Sequence, residues 1–390
     1  MDPVRNPYSP NAGAPPPALV GRDELLNTFN IALARISAGR SAKSLLPTGL
    51  RGVGKTVLLN AAVELARGQG YYIAQLEASE AGDFIAQLAA RVRSLLFEMS
   101  GRARTADRVQ SALRALKSFA IKLDLTDLSV SLGVDPERGV ADSGMLNTDL
   151  TDLFVKVGEA AKEEEVGALI AIDELQYLSE EQLEAVIMAV HRVTQLQLPL
   201  TVIGTGLPQL LALAGNAKSY AERLFDFPNI GPLSRDQAYE AIRKPAEEEG
   251  AEFDDAALCE IYDTTQGYPY FLQEWAYHAW NHADDPPIEA ADIKAIHNEV
   301  LARLDESFFR VRFDRLTPRE KVYLRAMAEL GKGPYRSGDI AVVLKVRVES
   351  LGPLRSGLIR KGMIYSPQHG DNSFTVPLFD DFMKRTMAFP

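Results

Sequence analysis

Apolar residues follow two different patterns in the first part of the chain. Short continuous apolar runs, typical of strands buried on both faces of a parallel sheet, occur at residues 168–172 and 200–203. Longer segments with apolar residues three and four positions apart predict helices, as at 84–99 and 180–196. Repeated strand–helix alternation predicts an α/β fold: a doubly wound parallel sheet with helices on both faces.

The pattern changes after residue 227, where only helices are predicted, at residues 234–249, 254–266, 269–283 and 290–304. The domain organisation that we predict is an extended N-terminal arm at 1–18, an α/β core at 19–232, a helical lid at 233–306 and a smaller module at 307–390. Within the core, residues 100–150 are predicted to be an insertion of unknown role, with a short hairpin at 125–132.

The composition is that of an ordinary soluble globular protein, with 46% hydrophobic and 24% charged residues among 390. No run of 18 apolar residues is present, so we predict no transmembrane helix and no membrane partner. The first residues contain no apolar h-region, which argues against a secretory signal. The single cysteine excludes an internal disulfide and fits a reducing compartment, so we expect a cytoplasmic location.

The segment Gly49–Thr56 is a complete G-x-x-x-x-G-K-T phosphate-binding loop, with a short apolar strand before it and a helix after it. Its glycines allow backbone N–H groups to turn towards an anion at the N-terminus of a helix. Lys55 provides a positive charge for the β- and γ-phosphates, and the Thr56 hydroxyl provides a ligand for Mg²⁺. The nucleotide-binding residues predicted here are Gly49, Gly52, Val53, Gly54, Lys55, Thr56 and Val57.

Acidic and polar residues end the strands that follow. Asp173 and Glu174 close the buried strand 168–172, so we predict that Asp173 holds Mg²⁺ and that Glu174 orients or deprotonates the attacking water. Thr205 follows the next strand, where it contacts the γ-phosphate or the water, or else forms part of a plain turn. Arg223 is a candidate for stabilising charge in phosphoryl transfer, within the chain or across a subunit interface; the alternative is a solvated surface arginine.

The order of the phosphate loop, the Asp173–Glu174 pair and Thr205 resembles the AAA+ and STAND branch of P-loop ATPases. Within that branch the chain looks most like the origin-recognition-like and archaeal-type ATPases, over roughly residues 18–305. The resemblance implies ATP and Mg²⁺ as cofactors and ATP hydrolysis as the activity, with Lys55 also in the catalytic set.

Two further segments acquire a role through this resemblance. Val20, Gly21 and Arg22 resemble the segment that lies beside the adenine in such modules. Gly267 and Pro269 are similar to the Gly-x-Pro motif of STAND lids, which in the family sits over the nucleotide. A plain helix–helix corner has the same residues. Replication initiators usually carry an arginine in the next helix; residues 270–275 contain none, which favours the STAND-like variant.

The C-terminal module differs in charge from the rest of the chain. From residue 317 onwards there are twelve Lys and Arg against seven Asp and Glu, although the whole chain has a net charge of −11. Three predicted helices and a hairpin around residues 368–372 resemble a winged helix. Its third helix, predicted at 348–361, has basic residues on it or beside it: Arg347, Arg355, Arg360 and Lys361. Two alternatives stay open, double-stranded DNA contact or packing on the ATPase core or a protein partner.

The function that we predict is an ATP-hydrolysing molecular switch, with ATP and ADP as its ligands, whose hydrolysis is coupled to movement of the lid and the C-terminal module. We predict that it is associated with DNA through the C-terminal winged helix. The alternative is a STAND-type regulatory ATPase that acts through protein partners or self-association. An inactive nucleotide-binding scaffold is disfavoured, because Lys55, Asp173 and Glu174 are all present.

Overall fold

The computed structural model describes residues 1–11, 13, 16–80, 82–101, 106–368 and 370–389. The chain forms two compact units. The first, called the sheet unit here, consists of Asp23–Thr48 and Leu58–Asn229. The second, called the C-terminal unit, consists of Met1–Arg22, Gly49–Val57 and Ile230–Pro390. The phosphate-binding loop is therefore grouped with the C-terminal residues; the predicted domain boundaries stay predictions.

The strands of the sheet unit are β1 (Ser44–Leu45), β2 (Tyr72–Glu77), β3 (Ala168–Asp173), β4 (Leu200–Gly204) and β5 (Phe225–Asp226). Strand β3 lies between β2 and β4, parallel to both, and β1 pairs in parallel with β5. Parallel bridges from Thr48, three residues after β1, to Gly206 and Asn229 place the continuation of β1 between those of β4 and β5. Every residue of β3 is buried, as its continuous apolar run predicts.

The helices of the sheet unit are α1 (Asp23–Ser37), α2 (Lys55–Gly68), α3 (Phe84–Ser100), α4 (Ala106–Lys122), α5 (Thr126–Ser131), α6 (Leu146–Glu163), α7 (Glu180–Gln195), α8 (Leu210–Ala217) and α9 (Ala221–Leu224). The first three residues of α2 belong to the Gly49–Val57 segment of the C-terminal unit. Helix α7 starts where predicted, because Ser179 and Gln182 form a reciprocal capping box. Helices α3, α4, α6 and α7 share one apolar core with β2, β3 and β4.

The hairpin predicted at residues 125–132 was wrong, because Thr126–Ser131 forms helix α5. Alternation of apolar residues suggested strands, but the alternating position Val130 is 76% exposed. The residues that pack into the core are Leu125, Leu128 and Leu132, whose spacing of three and four is helical. Packing against the core thus favours a helix, with its period of 3.6 residues, over a strand, with its period of two.

The helices of the C-terminal unit are α10 (Arg235–Glu248), α11 (Asp255–Thr265), α12 (Pro269–His282), α13 (Ala290–Leu304), α14 (Arg310–Asp314), α15 (Pro318–Glu329), α16 (Ser337–Leu344), α17 (Gly352–Arg360) and α18 (Phe379–Thr386). Helices α10 to α13 confirm the four helices predicted for the lid. Across the described residues, no helix is both long enough and apolar enough to span a bilayer.

The C-terminal module also contains strands β6 (Tyr335–Arg336), β7 (Ile364–Tyr365) and β8 (Asp371–Phe374), which form an antiparallel sheet in the order β6-β8-β7. The predicted hairpin corresponds to β7 and β8, whereas β6 was not predicted. Residue 369 of the predicted hairpin loop lies outside the described residues. The third helix begins later than predicted, because Val348–Leu351 is a 3₁₀ turn before α17.

The N-terminal segment packs against the lid helices within the C-terminal unit. Tyr8 is only 2% exposed, and its hydroxyl donates a 2.5 Å hydrogen bond to the carbonyl oxygen of Ile242. Its ring meets the rings of Phe253 and Trp280 edge to face, with centroids 6.1 and 6.3 Å away. Residues 12, 14 and 15 of the predicted arm lie outside the described residues.

Candidate nucleotide-binding site

The phosphate-binding loop has the backbone conformation that its glycines predict. Gly52 and Gly54 have φ angles of +80° and +88°, in the left-handed region that residues with a Cβ rarely adopt. Helix α2 begins at Lys55, with Thr56 and Val57 following in its first turn, so the loop ends at a helix N-terminus. The Lys55 side chain is 5% exposed, and its Nζ donates to the carbonyl oxygen of Leu50 at 3.0 Å.

The start of the loop lies against Ile230, three residues before the predicted lid. A Cβ added at Gly49 would lie 2.3 Å from the carbonyl oxygen of Ile230, so only glycine fits here. Gly49 therefore has a packing role in addition to its place in the motif.

Arg22 joins the loop to the residues just before the predicted lid. Its Nη2 donates hydrogen bonds to the carbonyl oxygens of Val53, at 3.2 Å, and Gly231, at 2.7 Å. Burial lowers the pKa of this guanidinium. Gly21 has a φ angle of +70° and lies against the side chain of Gln237, while Val20 packs on the apolar core of the C-terminal unit. The predicted adenine segment is thus adjacent to the phosphate loop.

The Gly267–Pro269 corner also reaches the loop. Gly267 has a φ angle of +73° and accepts a 2.9 Å hydrogen bond from the N–H of Leu233. Pro269 is the first residue of α12, where its missing N–H costs nothing. The N–H of Tyr270 then donates to the carbonyl oxygen of Gly52 at 3.1 Å. Tyr270 was not predicted as a site residue, because a backbone contact has no side-chain signature.

In the sheet unit, the predicted acidic residues lie together at the carboxyl edge of the sheet. Asp173 is 6% exposed, and its Oδ1 accepts hydrogen bonds from the Thr205 hydroxyl and, at 2.9 Å, from the Glu174 N–H. Glu174 has a φ angle of +57°, which is uncommon for a residue with a side chain and is often associated with functional sites. The structure thus brings Asp173, Glu174 and Thr205 into one hydrogen-bonded group.

Two residues of this group were missed by the sequence analysis. Glu77 ends β2 directly opposite Asp173 in the strand register. Burial, and after it the charges of Asp173 and Glu174, raises the pKa of Glu77. Gln176 donates from its Nε2 to the Glu174 carboxylate and accepts from the Leu207 N–H at 2.9 Å. Their positions in the sequence could have identified them as site residues: Glu77 lies at the end of a strand, and Gln176 lies two residues after Glu174.

The Asp173 carboxylate suits a Mg²⁺ ion that also binds phosphate. Within the described ranges, no three or more His, Cys, Asp or Glu residues are arranged to hold a metal ion. Mg²⁺ in phosphate sites commonly binds one or two carboxylates, water and the phosphates themselves. The Asp173 carboxylate therefore fits a partial Mg²⁺ shell of this kind.

Arg223 lies elsewhere in the sheet unit. It is exposed in α9, directly before β5. Because β5 is parallel to β1, and the bridge at Thr48 makes β1 parallel to β4, the start of β5 lies at the amino edge of the sheet. The structure does not bring Arg223 to the edge that carries Asp173.

The basic residues of the C-terminal module divide into two kinds. Arg355 donates to Asn372 Oδ1 and Ser366 Oγ, both at 2.7 Å, and so fastens α17 to the β-sheet. Lys361 pairs with the Glu320 carboxylate at 2.8 Å. The other two predicted contacts, Arg347 and Arg360, are exposed.

Comparison with known proteins shows what the core resembles. Residues 18–203 match the family model described as AAA ATPase domain. These residues are therefore similar to AAA ATPase domains. The match contains both the phosphate loop and the Asp173–Glu174 pair, so the resemblance to P-loop ATPases of the AAA type is confirmed. Residues 306–383 match a domain of unknown function.

The individual proteins that this chain resembles are distant from it in sequence. An uncharacterized HTH-type transcriptional regulator from Methanocaldococcus jannaschii is 25% identical over 366 residues, covering 91% of this chain and 85% of the relative. The Walker-type ATPase from Pyrococcus abyssi aligns with a TM-score of 0.58 at 16% identity, covering 94% and 96% of the two chains. This likeness confirms the predicted α/β P-loop fold. The Aeropyrum pernix Orc1 protein in complex with DNA aligns at a lower TM-score of 0.46, with 16% identity and coverage of 98% and 96%.

Proposed function

We propose that this protein binds ATP with Mg²⁺ and hydrolyses it, as a molecular switch. The observation that carries the proposal is the AAA ATPase match over residues 18–203, which includes a phosphate loop with left-handed glycines and the Asp173–Glu174 pair. Each part supports a separate step of phosphate binding or hydrolysis.

The role of each residue follows from its chemistry. Lys55 binds the β- and γ-phosphates, and the loop N–H groups bind phosphate oxygens. On the sequence argument, Thr56 and Asp173 are the Mg²⁺ ligands, and Mg²⁺ when bound neutralises phosphate charge. The Thr205 hydroxyl holds the Asp173 carboxylate in place. Glu174 orients the attacking water and accepts its proton.

The contacts within the C-terminal unit support a switch. The loop carbonyl of Gly52 is bonded to α12 of the lid through Tyr270, and the N–H of Arg51 donates to the carbonyl oxygen of Thr375 at 2.9 Å. A change in loop conformation on nucleotide binding therefore alters backbone contacts to both the lid and the C-terminal module. This is the coupling that a nucleotide-dependent switch requires.

We propose further that residues 307–390 are a winged-helix-like module that binds double-stranded DNA. Helices α15 to α17 and the antiparallel sheet support this architecture. The relative from M. jannaschii is described as an HTH-type transcriptional regulator, which supports a DNA-linked role. Arg347 and Arg360, which are exposed, are the proposed contacts with phosphate or bases.

One observation favours the second candidate, a STAND-type regulatory ATPase. The bond between Arg51 and Thr375 joins the C-terminal module directly to the phosphate loop. In this alternative the module regulates the ATPase, and ATP frees a surface for protein partners or self-association.

Two measurements test these proposals. ATP hydrolysis by the purified chain with Mg²⁺ tests the activity, and absence of turnover refutes it. Fluorescence anisotropy with mixed-sequence duplex DNA, in ATP, ADP or no nucleotide and at two salt concentrations, tests the partner. Binding that depends on nucleotide and weakens steeply with salt supports the DNA-associated switch. Turnover without DNA binding in any state supports the regulatory alternative.

A further inference from the structure

Gln176 bridges the general base of the proposed ATPase and the turn that follows β4. Its Nε2 donates to the carboxylate of Glu174, and its Oε1 accepts from the N–H of Leu207 at 2.9 Å. Leu207 lies two residues after Thr205, which is itself bonded to Asp173. One amide side chain therefore connects two parts of the acidic group.

The orientation of this amide follows from its partners. A backbone N–H can only donate, so the side-chain oxygen of Gln176 must face Leu207. An ionised carboxylate can only accept, so the NH₂ group must face Glu174. Glutamine is the uncharged side chain that meets both requirements with this reach.

The surrounding backbone leaves little room for the bridge to shift. The N–H of Leu175 donates to the carbonyl oxygen of Thr205 at 2.9 Å, which holds the two turns together. A Cβ added at Gly206 would lie 3.1 Å from Gln176 Oε1 and 2.8 Å from Leu210 Cδ2. A side chain at residue 206 would therefore crowd both Leu210 and the Gln176 amide.

We propose that Gln176 is a positioning residue that sets the orientation of the Glu174 carboxylate and couples it to the Thr205–Leu207 turn. The inference rests on the proposed ATP hydrolysis and adds a residue to it. A shift of this turn on contact with the γ-phosphate passes through the Leu207 N–H to Gln176, and from there to Glu174. The Glu174 carboxylate is then aligned for catalysis only when the γ-phosphate of a bound triphosphate contacts the Thr205–Leu207 turn.

Gln176→Met tests the bridge, because methionine has a similar volume but makes neither hydrogen bond. We expect kcat to fall by about tenfold to a hundredfold, as for a misplaced catalytic group. KM and the affinity for ATP should stay within about twofold of wild type, since Gln176 acts on Glu174 and not on the nucleotide. Gln195→Met, on the exposed end of α7, is the matched control and should retain wild-type turnover.

Gln176→Glu separates the two ends of the bridge. A glutamate keeps an acceptor for the Leu207 N–H but cannot donate to Glu174 when ionised. We expect its kcat to fall at least as far as that of Gln176→Met. Wild-type turnover in Gln176→Glu would overturn the proposal, because packing and the Leu207 bond would then be sufficient.

A double-mutant cycle shows whether Gln176 acts through Glu174. In a Glu174→Gln background, adding Gln176→Met should change the residual single-turnover rate by less than about twofold. A multiplicative loss would show that Gln176 acts independently and would overturn the inference. An active wild type with unchanged Gln176→Met overturns this inference alone, whereas an inactive wild type overturns the proposed function with it.

Discussion

The backbone N–H of Arg51, inside the phosphate-binding loop, donates a 2.9 Å hydrogen bond to the carbonyl oxygen of Thr375, in the C-terminal module. Thr375 is fully buried, and its own N–H donates to the carbonyl oxygen of Met363. The loop is thus bonded to the residue that follows β8. Because both partners are backbone groups, their alignment depends on the positions of the loop and the module, whatever side chains are present.

Lys55→Ala should abolish tight ATP binding, because it removes the charge that the loop offers to the β- and γ-phosphates. Glu174→Gln should retain ATP binding and stop turnover, because the amide cannot accept a proton from water. Nucleotide titration and steady-state hydrolysis measure the two effects separately. Equal loss of ATP binding in both variants would contradict these assigned roles.

Gly52→Ala should lower both stability and ATP affinity. Its φ angle of +80° costs a Cβ-bearing residue about 1–2 kcal/mol, and the new Cβ would lie 3.3 Å from Tyr270 Cβ. Gly70→Ala is the matched control, with a φ angle of +81° and no atom within 4 Å of the added Cβ. Gly70→Ala should lose stability, as measured by urea denaturation, but keep its ATP affinity. ATP affinity that is equal in the two variants would refute the loop-specific effect.

Arg223→Ala should lower turnover by about tenfold or more without changing ATP affinity, if the residue stabilises charge in a neighbouring subunit. Its exposed position at the amino edge of the sheet favours that arrangement over action within the chain. The test is specific activity as a function of protein concentration, with Arg40→Ala as an exposed control. Unchanged turnover in Arg223→Ala would leave it as a surface arginine.

Arg355→Ala should mainly lower stability, whereas Arg360→Ala should mainly weaken DNA binding. Arg355 donates to Asn372 and Ser366, so its loss should destabilise the chain by about 2–3 kcal/mol. Arg360 is exposed, so its loss should leave stability within about 0.5 kcal/mol but weaken DNA binding and reduce its salt dependence. Thermal melting and DNA anisotropy measure these effects. Unchanged DNA affinity in Arg360→Ala would exclude this contact.

Alkaline pH should destabilise the C-terminal module. Burial raises the pKa of Tyr323 to about 12, from an ordinary value of 10.0. The unfolded chain therefore loses this proton before the folded chain does, so the stabilisation is complete below about pH 10 and declines between about pH 10 and 12. Tyr323→Phe should reduce the pH slope by up to about 1.4 kcal/mol per pH unit, in urea unfolding from about pH 9 to 11. An identical slope in the variant and the wild type would contradict this assignment.

Several features could be predicted from local sequence alone. The phosphate loop, its left-handed glycines, the buried strand that ends at Asp173 and the lid helices all depend on residues close together in the chain. Where local patterns conflicted, prediction failed: residues 125–132 alternate like a strand, but packing exposes Val130 and makes the segment helical.

The sequence by itself determined the chemistry of this protein: a lysine and a threonine in a glycine-rich loop, and two carboxylates at the end of a buried strand. Backbone sterics and hydrophobic periodicity act over a few residues, so they can be recognised in a linear pattern. Only the tertiary structure decided that Gln176 bonds Leu207, that Arg355 is used internally, and that Arg51 meets Thr375. Such contacts join residues that are far apart in the chain, and they depend on how the elements pack.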